Sequence, residues 1–304
     1  MKIYIHYDIT NKPWGGGNSF LKAFRHYCIK NNIELAKNIN DDYDILFFNA
    51  ASKSKRKAIS IDELIKIKTI GVNNKIINKI FPKKKKLLVY RSDGFRDEYA
   101  DIDDNSGDLI QLLSLQIANH VIFQNKSSLK TASRNRIGYC KNNYDIVYNG
   151  VNQELFTLKQ SFWDGKSNVK VFSANWSNNK NKGYEAIAMF SELKGVDSFF
   201  CGNWPSDIDK KNVNVFPPLS QEELSKEYKK YDIFLHPSKY DQSPNVCLEA
   251  ISCGLPIIYH ETSGIKEVAG VCGIEIDELD LENTLESIKK EYKDLILIIK
   301  NKRK

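Results

Sequence analysis

At 304 residues the chain is longer than one hydrophobic core usually organises, so two domains are expected, and an apolar share of 41% is enough to fill both. The net charge of +7 is modest and gathers in Lys53–Lys57, Lys83–Lys86 and Asn301–Lys304; with no aromatic-basic sheet motif beside it, no nucleic-acid partner is expected. No apolar run approaches the ~20 residues of a membrane span, and six scattered cysteines without a close C-x-x-C pair exclude a zinc or redox motif, favouring buried reduced thiols in a cytoplasmic protein.

Met1-Lys2 leads directly into a strand-like run, so no signal peptide is expected. From there short β runs alternate with helical stretches, the pattern of parallel sheets covered by helices on both faces. Strands are predicted at Lys2–Tyr7, Tyr43–Phe48, Leu87–Arg91, Val121–Gln124 and Ile146–Tyr148. Helices are predicted near Ser19–Lys30, Ile61–Lys68, Asp108–Ala118 and Ser127–Ser133. The pattern restarts with strands at Val169–Ala174, Ser198–Cys201, Val213–Phe216, Ile233–Leu235 and Pro256–Tyr259. Its helices fall near Tyr184–Lys194, Gln221–Tyr231, Asn245–Ser252 and Leu281–Tyr292, and the apolar run Leu295–Ile299 reads as further helix.

The fold class is therefore α/β, with two doubly wound, Rossmann-like domains facing a cleft. They are expected at 1–150 and 151–280, and 281–304 would form a C-terminal helix that packs back on the first domain. In such sheets ligands bind outside the C-terminal ends of the strands.

The segment Asp232–Gly254 has the richest chemistry. Asp232-Ile-Phe-Leu-His is a short apolar strand that Pro237 stops. Pro244 suits a first helical turn, where its missing N–H costs nothing, and Asn245-Val-Cys-Leu-Glu-Ala continues as helix. The free N–H groups of Asn245 and Val246 would then face the loop and hold an anion such as a phosphate. Glu249, one turn further in, would accept hydrogen bonds from a pair of sugar hydroxyls, with Asp241 at the mouth. A plain strand–loop–helix unit of an α/β protein is the alternative.

Other candidates lie at strand ends. Gly15-Gly-Gly17 follows the first strand and opens a helix, so Gly16 and Gly17 would let the backbone approach a ligand closely. The loop lacks G-x-G-x-x-G spacing, and a dinucleotide cofactor is not expected. Asp93-Gly94 ends the strand Leu87–Arg91 and is either a site carboxylate or an ordinary turn. Lys182-Gly183 closes the polar loop after Val169–Ala174, and Lys180 offers a second charge nearby. Ser263-Gly264 with Glu267 follows the strand before it. Among five unclustered histidines, His120 and His236 read as structural. Asp101-Ile-Asp-Asp104 reads as surface loop, so no metal ligand set is expected.

Taken in order, these segments resemble the retaining glycosyltransferases of the GT-B fold, family 4 (glycosyl transferases group 1). That family carries two acidic residues separated by seven positions and followed by Ala, here Asp241, QSPNVCL and Glu249-Ala250; Asp241 stands where the family usually has Glu. Lys182-Gly183 matches its Lys-Gly pair, whereas Ser177 occupies the position of its Arg, in a Trp176-Ser177 loop that some relatives share. Tyr148-Asn-Gly-Val-Asn152 is similar to its interdomain turn, read here as a hinge. The resemblance implies a metal-independent, retaining transfer, without cofactor, from a nucleotide diphosphate sugar to a glycan or lipid-linked acceptor. In it Lys182, Asp241 and Asp93 are the catalytic residues. Gly16, Gly17, Lys182, Asn245, Val246, Glu249, Ser263 and Gly264 bind the donor. Asp93 and Gly16 also lie toward the acceptor. The alternative function is a non-catalytic sugar-nucleotide or glycan-binding module. A basic face toward an anionic membrane or phosphorylated acceptor is likewise an alternative to plain solvated surface.

Overall fold

The computed structural model describes residues 1–9, 16–49, 60, 62, 63, 65, 86–92, 106–134, 143–177 and 179–302. Gly15, most of the helix predicted at 61–68, Asp93-Gly94, Asp101–Asp104 and Cys140 lie outside these residues. The chain divides into two compact units, Met1–Tyr148 and Asn149–Lys304.

The first unit is a parallel sheet of β1 (Lys2–His6), β2 (Glu34–Leu35), β3 (Ile45–Phe48), β4 (Leu87–Arg91), β5 (His120–Phe123) and β6 (Tyr144–Ile146), in the order β2-β1-β3-β4-β5-β6. Its described helices are α1 (Gly16–Lys30), α2 (Ser106–Ile117) and α3 (Lys126–Arg134). Successive strand residues point to opposite faces. Leu46 and Phe48 therefore join Leu88, Tyr90, Val121 and Phe123 against Ile110 and Leu115 of α2. Phe47 and Ile3 face the other way, onto Leu21 and Cys28 of α1. Both faces are buried, which is why these strands are continuous apolar runs.

The second unit repeats the plan with β7 (Val169–Asn175), β8 (Val196–Gly202), β9 (Asn214–Phe216), β10 (Ile233–His236), β11 (Ile257–Tyr259) and β12 (Gly273–Glu275), ordered β12-β11-β10-β7-β8-β9 and all parallel. One face carries α4 (Tyr184–Phe190) and α8 (Leu281–Lys302), packed on Val171, Ile233, Leu235 and Ile258. The other carries α6 (Asn245–Cys253) and α7 (Ile265–Ala269), packed on Phe172, Phe234, Ile257 and Tyr259. Between β9 and β10 lies α5 (Gln221–Glu227), started by a capping box in which Ser220 and Glu223 satisfy each other's backbone donors. The strand order reverses between β7 and β10. That switch point is where a parallel α/β sheet opens a crevice for a ligand, outside the strand C-termini.

Several boundaries differ from expectation. α8 is one helix of 22 residues, and its buried Ile288, Tyr292, Leu295 and Ile296 belong to the second unit's own core. α1 begins at Gly16, so the glycine pair lies in its first turn rather than ahead of it. The three-residue β12, the two-residue β2 and the five-residue α7 have no sequence prediction behind them. They are too short to show a period.

Candidate functional site

β10 ends at His236 because Pro237 cannot donate to a neighbouring strand. The loop then runs to Pro244, whose extended backbone (φ −70°, ψ 103°) precedes α6 with no side-chain cap. The first-turn N–H groups of Asn245 and Val246 therefore have no partner within the helix. Asn149 braces this start, its Nδ2 donating to Ser243 Oγ at 2.9 Å and to Asn245 Oδ1 at 2.8 Å.

The loop after β7 is fastened to the loop after β10. Its single 3-10 turn, Lys180–Lys182, ends on Gly183 in the left-handed region (φ 75°). A Cβ at Gly183 would stand 2.6 Å from the Pro237 carbonyl oxygen, so the approach as well as the φ requires glycine. Beyond it, Lys239 N donates to Asn181 O at 2.8 Å. This contact places Lys182 Nζ 2.5 Å from Asp241 Oδ2. Tyr240, just before that carboxylate, sits at φ 57°, a conformation that costs a tyrosine of order 1 kcal/mol and clusters at functional sites. From the next loop, Gly264 N and Ser263 Oγ donate to the Asp241 carbonyl at 2.8 and 3.3 Å, so both hold the backbone of Asp241.

Charge here is strongly conditioned. Burial works to raise the Asp241 carboxyl. The Lys182 ammonium and His236, whose Nε2 lies 3.5 Å from Oδ2, outweigh it and hold the carboxyl well below the usual range. Burial pulls His236 down, toward the neutral ring, against the attraction of Asp241. Glu249 is 8% exposed, and burial pushes it up to about 7 even though Tyr228 Oη and Gln221 Nε2 each donate to it at 3.4 Å. A carboxyl so poised accepts hydrogen bonds from a ligand diol readily, because such donors favour its charged form.

The structure thus brings Lys182, Asp241, Ser263 and Gly264 together, beside the start of α6 with Asn245 and Val246. Glu249 lies farther along the same helix. Gly16 and Gly17 stand in the first unit, where a Cβ at Gly17 would lie 2.8 Å from Asn49 Nδ2, at the end of β3. Asn49 Oδ1 accepts from Arg91 Nη1 at 2.6 Å, and the Arg91 guanidinium lies 4.1 Å from the Phe20 ring centroid. Asp93 lies outside the described residues. Lys180 faces outward to Asp207 at 3.2 Å, while Ser177 Oγ accepts from Asn179 N at 3.2 Å.

Sequence reasoning missed four residues: Asn149, Gln221, Tyr228 and His236. A histidine just before the proline that ends a strand was the available signal for His236. The others come from distant segments. Among the described residues no group of His, Cys, Asp and Glu side chains is arranged to hold a metal, and all five described cysteines are buried without a disulfide. Among them, too, no helix is long and apolar enough to cross a membrane.

A cation, two unused helix-start N–H groups and a buried carboxyl at a switch point suit an anionic ligand that also carries hydroxyls. Residues 209–301, which hold α5 to α7 and most of α8, match the family model for glycosyl transferases group 1. No curated protein matches the chain in sequence. Solved structures do match in fold. A sucrose-phosphate synthase from Thermosynechococcus elongatus is 11% identical at a TM-score of 0.67, over 98% of this chain and 94% of that one. HepE of Anabaena, in complex with UDP and glucose, is 14% identical at 0.64, over 98% and 92%. WaaG, a glycosyltransferase involved in lipopolysaccharide biosynthesis, is 12% identical at 0.65, over 99% and 94%. Two parallel six-stranded sheets flanked by helices, shared across nearly the whole of each chain, make this a GT-B fold of two Rossmann-like units.

Proposed function

We propose that the protein is a glycosyltransferase that moves a sugar from a nucleotide diphosphate sugar to a glycan or lipid-linked acceptor. The observation that carries the reading is the meeting of Lys182 and Asp241 beside the uncapped start of α6, at the switch point of the second sheet. The match to glycosyl transferases group 1 over 209–301 supports it. So does UDP in the complex of HepE, a protein of the same fold.

In this mechanism the donor diphosphate lies against Lys182 and the N–H groups of Asn245 and Val246. These donors offset the charge that develops as the sugar–phosphate bond breaks, an electrostatic contribution of the oxyanion-stabilising kind. The Glu249 carboxylate accepts from the ribose hydroxyls and fixes the nucleotide. Asp241 faces the sugar, and Ser263 and Gly264 hold its backbone in place. The acceptor hydroxyl enters from the first unit in this reading, with Gly16 and, by the resemblance, Asp93 as its candidate residues. The sugar is a hexose and keeps its anomeric configuration, the departing phosphate takes the acceptor's proton, and no metal is needed because Lys182 and the helix start supply the positive field. The reaction belongs to surface-glycan assembly on the cytoplasmic side, with basic surface toward an anionic membrane.

The test is a panel of UDP-, GDP- and ADP-sugars, screened by thermal shift and then for release of the nucleotide diphosphate with and without glycan acceptors. A ligand that binds the native state raises the melting temperature. The expected result is stabilisation by one nucleotide class and acceptor-dependent release of its diphosphate. Stabilisation without release, across all acceptors, would replace the enzyme with a non-catalytic sugar-nucleotide-binding module.

A further inference from the structure

His236 is a buried polar side chain at the site, and the mechanism above gives it no task. It is 1% exposed, its ring stacks on Phe234 at 6.2 Å, and among the described residues neither Nδ1 nor Nε2 has a well-formed hydrogen bond. A buried donor or acceptor left unsatisfied costs roughly 1–3 kcal/mol, so a ring kept this way calls for an explanation. Replacement by a hydrophobic residue of similar size would remove that cost. Asp241 Oδ2 lies 3.5 Å from Nε2, at the outer limit of hydrogen-bond reach, while Lys182 holds that same oxygen at 2.5 Å.

The donor reading creates the need. The diphosphate and Asp241 then share one ammonium, and each phosphate contact that Lys182 Nζ turns toward draws it from the carboxylate it holds at rest. When the phosphates draw Lys182 away, Asp241 would be left partly buried and unpaired, a state more costly than the loss of one bond. A donor waiting on the other side of the carboxylate removes that penalty. We propose that His236 is a positioning residue that takes over Asp241 when the donor diphosphate takes Lys182, its Nε2–H closing onto Oδ2 so that the carboxylate stays charged and aimed at the sugar. This inference rests on the donor site proposed above. A neutral ring serves it, since one ring nitrogen then carries the proton and donates. Cys247 is the other titratable group that senses the same carboxylate, and burial first, then Asp241, pushes its thiol well up, so it stays protonated and does not compete.

The experiment uses the full chain with 15N-labelled histidine, the His236 signal being assigned by its loss in His236→Gln among five histidines. Adding the nucleotide diphosphate that stabilises the wild type is expected to shift the His236 ring nitrogens to the pattern of an Nε2–H donor, and to leave them unmoved in Asp241→Leu, which keeps the shape without an acceptor. In kinetics, His236→Phe keeps the ring volume without a donor, and the donor KM is expected to rise about tenfold, as for loss of one hydrogen bond to a charged group, with kcat little changed. His236→Gln, whose amide replaces the Nε2–H, is expected to restore most of that loss. Nucleotide binding with an unmoved His236 ring, or equal KM in the Phe and Gln variants, would overturn this role and leave the donor site standing. Calorimetry showing no nucleotide diphosphate bound to the wild type would instead remove the donor site, and this role with it.

Discussion

Strand β10 has a lysine–aspartate pair at each end, and the two pairs are built differently. At its N-terminal end Lys159 Nζ lies 3.6 Å from Asp232 Oδ1 and donates to the Tyr231 carbonyl at 2.5 Å, while Asp232 Oδ2 accepts from Lys170 N at 3.0 Å. Only 2% of the Lys159 side chain is exposed. At the C-terminal end Lys182 is 22% exposed, and among the described residues its ammonium pairs with Asp241 alone. The first pair is saturated by its own protein; the second leaves donor capacity on the ammonium, beside a helix start that also has unused N–H groups. Similar residues at the two ends of one strand thus differ in exposure and in how fully they are bonded, as the proposed function requires. The N-terminal end is closed by packing, and the C-terminal end is where a doubly wound sheet opens for ligands.

The sharpest way to break this comparison is to remove each lysine. Lys182→Ala is expected to lower transfer on the order of a thousandfold, the scale of losing a group that stabilises developing charge. Its melting temperature should fall less than that of the Lys159 variant, because His236 Nε2 stands 3.5 Å from the same carboxylate and Lys182 itself is part-exposed. Lys159→Met is expected to do the reverse. It strips a part-buried carboxylate and a carbonyl of a buried cation, costing about 3 kcal/mol of stability, and leaves activity per folded molecule unchanged. Chemical denaturation together with turnover of the folded fraction reads both effects. If the Lys159 variant lost turnover while folded, or the Lys182 variant unfolded, the division between the two ends of β10 would be wrong.

Glu249 sharpens the same contrast, as a group held at a cost to stability. Its folded value of about 7 lies above the ordinary 4.5, with burial as the main cause. A raised carboxyl stabilises the fold relative to its unfolded chain fully below the unfolded value, and that contribution is lost as pH rises through about 7. Glu249→Gln, which cannot ionise, is therefore expected to gain melting temperature over the wild type at pH 8 and not at pH 4. The same substitution should weaken nucleotide binding about thirtyfold, as for loss of hydrogen bonds to a charged acceptor. In the wild type, nucleotide binding near pH 6.5 should release a proton, since ribose donors favour the carboxylate. Calorimetry in two buffers of different ionisation enthalpy measures that directly.

How much of this was legible in the sequence follows from the distance over which each feature is decided. Strand β10, its proline stop and the helix from Asn245 are local, and their residues state them: an apolar run, two prolines and a helical continuation. The positions of Lys182 and Asp241 in the loops that follow strands, and of Glu249 in the helix after the second loop, followed from the same alternation. What was not legible is pairing across the fold. Asn149 reads as a hinge residue until its amide is seen bracing Ser243 and Asn245, 94 and 96 positions away. Ser263 and Gly264 match a donor loop by spacing, but their hydrogen bonds go to the Asp241 backbone. The end of α8 was obscured for a different reason. In Leu295–Ile299 every residue is apolar, so the run hides its period; only the structure separates buried Leu295, Ile296 and Ile299 from Leu297, which is 58% exposed.

The smallest expected effect tests whether proximity in sequence was ever a sufficient guide. Lys180 lies two positions before Lys182, and the loop's missing arginine, with Ser177 in its place, makes it the natural candidate for a second phosphate-binding cation. The 3-10 turn decides otherwise, since Lys180 and Lys182 leave it in different directions: one reaches Asp241, the other Asp207 at 3.2 Å, with side chains 72% and 60% exposed. The Lys180 pair lowers the Asp207 carboxyl through a hydrogen bond and charge. An ion pair this exposed is screened and contributes little. Lys180→Ala is accordingly expected to leave the donor KM, kcat and melting temperature unchanged within error. A rise in donor KM near that of Lys182→Ala would mean that the loop turns Lys180 onto the phosphates when the donor binds. The single-cation site at the C-terminal end of β10 would then have to be redrawn with two.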